Sequence, residues 1–165
     1  MATRRIQEFL DGNKVRYVLI SHSPAYTASQ VAESVHIPGR SLAKVVVVVV
    51  EGRLAMAVVP ATCEVDMSRL QVVTGSAGVR LADEAEFAHR FEGCQVGAEP
   101  PFGNLFGMET YVEGTLANEP CITFNAGTHT DVIVMDFVDF QRLARPILAR
   151  IDMAPVDTAF YVDQL

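Results

Sequence analysis

Apolar residues recur along this chain with two different periods. Ile6, Phe9 and Leu10 share one face of a helix predicted over residues 3–11. The stretch VRYVLISH (15–22) alternates and is rich in β-branched residues, which predicts a strand. After the turn SPAY, Thr27 and Gln30 stand in the spacing of a capping box. Val31 and Val35 give the helix that follows a buried stripe, and IPGRS ends it. The pattern then changes. AKVVVVVV (43–50) and LAMAVV (54–59) are apolar runs joined by EGR, which predicts a hairpin whose first strand is covered on both faces.

Downstream, Asp66 is placed to cap a helix to about Val73, and GVRLA reads as a short strand. Asp83 and Glu86 make a second capping box ahead of a helix carrying Phe87 and Phe91 one turn apart. Periodicity fails over GCQVGAEPPFGNLFG (93–107), and a long irregular loop in a compact domain is more often functional than idle. Strands are expected at 109–116, 121–126 and 131–135, with NAGTHT between the last two. Asp136 then caps a helix bearing Phe137, Phe140 and Leu143 that stops at Pro146, and residues 147–165 carry no readable pattern. The expected fold is α/β in the α+β sense: many short strands in a mixed sheet or barrel, with four or five helices around it. No βαβ unit carries a glycine fingerprint, which argues against a dinucleotide fold.

Length and composition narrow this reading. A chain of 165 residues, 50% hydrophobic and 20% charged, is expected to form one globular domain over 1–165. The start, MATRRIQEFLDGNK, has no apolar segment behind its charges, so no secretory signal is expected. Glu51, Gly52 and Arg53 interrupt the longest apolar stretch at its centre, so no membrane span is expected and the protein should be cytoplasmic. Cys63, Cys94 and Cys121 are odd in number and without a CxxC, as for reduced, packed thiols. The four histidines lack metal-ligand spacing, so neither a metal nor another cofactor is expected. A net charge of −7 argues against DNA as a partner, but residues 1–53 carry +3 and residues 54–165 carry −10. A basic first third can meet a few phosphates while the remainder repels them; ordinary surface scatter explains the same numbers.

Three places could carry chemistry. Lys44 stands at the entry of the valine run, where an ammonium must reach water, a carboxylate or a ligand. The plain alternative is a gatekeeper that limits aggregation of the valines. In GAEPPFG (97–103) the glycines allow close backbone approach and the prolines stiffen it, as in an oxyanion-stabilising loop or in a simple surface crossover. In NAGTHTD (125–131) Gly127 permits a tight bend, and His129 and Asp131 share one side if a strand begins there; a turn glycine and a structural histidine are the bland counterparts.

Taken in order, HSPAYTASQVAES, SLAKVVVVVV, VGAEPPFGN and FNAGTHTDVIVMDFVDFQRLARP resemble the YbaK/prolyl-tRNA synthetase-associated editing domain over about residues 5–146. The resemblance implies a compact, barrel-like mixed sheet flanked by helices. It implies hydrolysis of the ester joining a wrong, small amino acid to tRNA, often the tRNA for proline. The partners would be the acceptor end of an aminoacyl-tRNA and a possible synthetase, with the oligomeric state open. The family's lysine falls on Lys44 and its glycine loop on Gly97 to Gly103, with Pro101, Phe102 and Gly103 the nearest match. Its late turn falls on Gly127, Thr128, His129 and Thr130, and its early pocket wall on His22 and Thr27. Lys44, Gly103 and His129 are thereby the catalytic candidates, and the others would bind substrate. Val45 occupies a position where a polar residue is frequent in the family, which bears on the amino acid accepted. Two rival readings remain: a module that binds an aminoacyl ligand without turning it over, and a domain that docks a synthetase.

Overall fold

The computed structural model describes residues 2–153. Its elements run α1 (Ala2–Gly12), β1 (Tyr17–Ser21), α2 (Ala28–Val35), β2 (Leu42–Val50), β3 (Arg53–Pro60), β4 (Glu64–Val65), α3 (Met67–Thr74), β5 (Val79–Leu81), α4 (Glu84–Phe87), β6 (Glu109–Glu113), β7 (Cys121–Asn125), β8 (Asp131–Asp136), α5 (Phe137–Ala144), β9 (Ile147–Ala149) and β10 (Asp152–Met153). The main sheet is mixed and has eight strands in the order β1-β8-β7-β2-β3-β6-β9, with β5 added alongside β2; β10 and β4 form a separate pair. This is the large mixed sheet with flanking helices that the pattern and the resemblance led us to expect.

Local chemistry sets most boundaries. The Thr27 hydroxyl accepts from Gln30 N at 3.1 Å and the Gln30 side chain accepts from Thr27 N at 3.3 Å, which closes the capping box of α2. Asp66 caps α3 by accepting from Ser68 N and Arg69 N. The β2–β3 hairpin turns on Glu51 and Gly52, at φ +49° and +79°; two positive angles suit the twist of a two-residue connection. That turn sets Val50 opposite Arg53 and Lys44 opposite Val59.

Side chains alternate across β2, and each face has its own core. Ala43 and Val47 join Phe102, Ile122, Phe124 and the apolar stripes of α1 and α5. Val48 joins Val59, Leu70, Tyr111 and Ile151 on the opposite face. A smaller cluster on that second side packs α2, through Val31, onto Leu42 and Val132. The valine run is therefore apolar on both faces because both are covered.

Some boundaries differ from the sequence reading. The helix at Asp83 ends after one α turn and tightens into a 3-10 turn at Ala88–Arg90, although Phe87 and Phe91 still meet edge to face at 6.1 Å. The strand expected over 109–116 stops at Glu113, and Gly114–Asn118 coil into another 3-10 turn. Residues 147–153, without a readable pattern, add β9 beside β6 and β10 beside β4; the rest of the tail lies outside the described residues.

Candidate functional site

Lys44 belongs to the second face of β2. Parallel pairing sets Leu42 beside Thr123 and Ala43 beside Phe124, so Lys44 and Asn125 follow next on the face opposite Phe124. Asn125 pairs with Val132 and Val132 with Ile20, and the ladder continues through His22 N donating to Thr130 O at 2.7 Å. Lys44, Asn125 and His22 thus share one face at one end of the sheet, flanking the Leu42–Val132 cluster under α2. The Lys44 side chain is 22% exposed, and its Nζ donates to Glu64 Oε1 at 3.0 Å; that carboxylate is 75% exposed. Burial of the stem and a carboxylate at the tip answer the solvation problem that a cation beside six valines poses.

The two glycine-bearing bends meet at the same end. Gln95 N donates to Gly127 O and Gly127 N donates to Ala98 O, both at 2.9 Å, while His129 N donates to Gln95 Oε1 at 2.7 Å. Gly97 and Gly127 sit at φ +86° and +95°, where side chains are strained. His129 Nε2 lies 2.8 Å from Val96 O, and since a carbonyl only accepts, this nitrogen carries the proton. The early loop joins through Ala25 N donating to His129 O and through Tyr26, 71% exposed, whose ring lies 4.9 Å from that of His129. Thr128 Oγ1 donates to Asp131 Oδ2 at 2.6 Å and Ser21 Oγ to Oδ1 at 2.8 Å. Burial raises the Asp131 pKa, but the hydroxyls of Thr128, Ser21 and Thr130 outweigh it and hold the group below its ordinary value.

Several candidate residues lie elsewhere. Phe102 is fully buried in an aromatic stack with Phe9, Phe124 and Phe140, and Pro101 is buried beside it. Gly103 N donates to Thr110 Oγ1 at 3.0 Å, and a Cβ there would overlap Thr110 Oγ1 and Met108 O. Gly103 is a close-packing position inside the core, because only a bare backbone fits against the start of β6. Val45 packs on the Phe102 side of the sheet, opposite Lys44, so its lack of polarity reflects the core. The Thr27 hydroxyl is engaged as the α2 cap.

Backbone donors are also mostly engaged. Gly97 N donates to Glu99 Oε1, Ala98 N to Gln95 O, and Phe102 N to Pro100 O. In the second bend Gly127, His129 and Thr130 N–H groups all have acceptors, which leaves Thr128 N–H without one among the described residues. Glu64, Gln95 and Asn125 are the residues that sequence reasoning did not single out. Gln95 and Asn125 lay in stretches already under suspicion; Glu64 is twenty residues from Lys44, and nothing in the pattern links them. A cleft of about 1050 Å³ opens at the opposite end of the hairpin, between its turn and Arg80, Arg90 and Tyr111, and does not include Lys44.

This geometry lies within a stretch with clear relatives. The model of the aminoacyl-tRNA editing domain matches residues 22–143, and the chain belongs to that family. Among solved structures, one described as a candidate trans-editing enzyme for prolyl-tRNA synthetase superposes with a TM-score of 0.79 at 20% identity, covering 93% of this chain and 98% of that one. The hypothetical protein APE2540 gives a TM-score of 0.81 at 16% identity, over 90% and 99% of the two chains. A protein from Marinobacter aquaeolei VT8, described as a signal transduction candidate, gives 0.72 at 18% identity; the match covers 90% of this chain but only 30% of that one. At these identities the likeness is one of fold. Among curated proteins none matches the chain.

Proposed function

We propose that the protein is a free-standing trans-editing hydrolase that cleaves the ester of a small amino acid mischarged onto tRNA, with the tRNA for proline as the first candidate. What supports this reading is that the β2–β7 register brings the Lys44 backbone next to Asn125, where the 127–130 bend leaves the sheet and bonds to the 95–98 bend, inside the stretch that matches the editing family. An aminoacyl ester is already activated, so positioning water and stabilising the oxyanion suffice, and no strong protein nucleophile is needed. Lys44 would exchange Glu64 for a phosphate or the ester oxygen of the acceptor end. The unengaged Thr128 N–H is the available oxyanion donor; one such donor is worth about 2.7–4 kcal/mol, roughly 10²–10³ in rate.

Selectivity would be by volume, since an apolar pocket separates one methylene by only about 1–3 kcal/mol and works best by excluding larger side chains. His129, with Tyr26 against it, is the candidate size limit. The net charge of −7 restricts the grip to a few phosphates, which implies a shallow salt dependence.

The test is release of free amino acid from a panel of alanyl-, cysteinyl-, seryl- and threonyl-tRNAs, for wild type and Lys44→Ala. We expect the variant to lose about 100-fold or more in kcat/KM with its thermal unfolding little changed. A folded Lys44→Ala variant as active as wild type on every substrate would overturn the catalytic role. Tight binding with no release would make the protein a binding module.

A further inference from the structure

Three buried side-chain nitrogen or oxygen atoms among the described residues have no hydrogen-bond partner: Thr3 Oγ1 in α1, His22 Nε2 and Asn125 Oδ1. The last two lie on the Lys44 face, at the same end of the sheet. Unpaired buried polar atoms are costly, and two on one face mark a place that a ligand completes. Their chemistry says what the ligand brings. His22 Nδ1 lies 2.7 Å from Ser23 O, a group that only accepts, which selects the tautomer with its proton on Nδ1; in that tautomer Nε2 presents a lone pair. Asn125 Oδ1 is an acceptor by nature. Both atoms await a donor, and the nearby lysine is held by Glu64.

An aminoacyl-tRNA terminus offers few donors. The ester oxygens and phosphates only accept, a ribose hydroxyl has one hydrogen, too few for two acceptors, and the amino group of the terminal adenine, which has two, sits on the nucleobase several bonds away from the ester. The α-amino group has two or three N–H bonds on one atom. We propose that His22 and Asn125 form the subsite for the free α-amino group of the substrate, so that N-blocked aminoacyl-tRNAs are rejected. This deepens the deacylase reading and rests on it. The local charge agrees: Glu64 balances Lys44.

The experiment compares hydrolysis of an aminoacyl-tRNA that wild type cleaves with hydrolysis of the same tRNA after N-acetylation, for wild type, Asn125→Ala and Asn125→Ser. Wild type is expected to prefer the free amine by about 100-fold. Asn125→Ala should lower kcat/KM on the free amine about 10-fold and shrink the preference by the same factor, with partial recovery in Asn125→Ser, which restores an oxygen. Equal cleavage of both forms by wild type overturns the subsite, as does an Asn125→Ala loss that falls equally on both. So does an undiminished preference in the variant. Should Asn125→Ala fail to fold, His22→Ala serves in its place, and the wild-type comparison needs no variant. Failure to release amino acid from any free-amine substrate is a different result, which removes the deacylase reading and this subsite with it.

Discussion

Gly97 and Gly103 belong to one loop and solve different problems. At the Gly97 end the chain takes φ +86°, a Cβ would sit an ordinary 3.5 Å from His129 Cε1, and the neighbouring backbone bonds to the 127–129 bend. Glycine is needed there for its dihedral angle. At the Gly103 end the dihedral is ordinary, but the backbone is pressed against Thr110 and Met108 beneath fully buried Phe102. Glycine is needed there for its volume. One half of the loop builds the candidate site and the other half anchors it to the aromatic core, so glycine and proline content alone does not say which half meets substrate.

Substitutions break this contrast in a definite order. Phe102→Ala empties the centre of the stack with Phe9, Phe124 and Phe140 and should cost about 3–5 kcal/mol in urea unfolding, while deacylation per folded molecule persists. Gly103→Ala forces an overlap with backbone and should cost about 1–3 kcal/mol, again with activity following the folded fraction. Gly97→Ala meets no clash and should cost about 1–2 kcal/mol through its dihedral alone; its larger effect should appear in kcat/KM, because its bend holds His129 through Val96 O and Gln95 Oε1. If Gly97→Ala and Gly103→Ala alter stability and turnover in the same proportion, the loop has no such division.

The smallest effect sharpens the Gly97 end. Burial raises the pKa of Glu99, whose carboxylate accepts from Gly97 N, so the fold favours the neutral acid. Its contribution is fully present below the ordinary carboxyl pKa and is lost as pH rises through the raised folded value. Glu99→Gln, which keeps an acceptor for Gly97 N, should therefore flatten the stability profile over that window, as read by thermal unfolding between pH 4 and 7, a range of roughly ordinary carboxyl and histidine titration. An unchanged profile would mean that Glu99 is solvated.

The amino-acid order determined what depends on neighbours within a few residues. The capping boxes at Thr27 and Asp83, the turn at Glu51–Gly52 and the twofold alternation of β2 are local, and short-range sterics and hydrogen bonds decide them. Even the opposite facing of Lys44 and Val45 follows from alternation, but a run apolar on both sides hides which face is which. Only the tertiary structure decided that Lys44 bonds to Glu64 and lies on the face of Asn125, that the 95–98 and 127–129 bends bond to each other, and that Gly103 is core. The bonds of Lys44 and of the two bends join segments far apart in the chain, as does the stack of Phe102 on Phe9, Phe124 and Phe140 that buries the Gly103 end. Their free energy depends on the whole sheet closing in one register, which no short window of sequence contains.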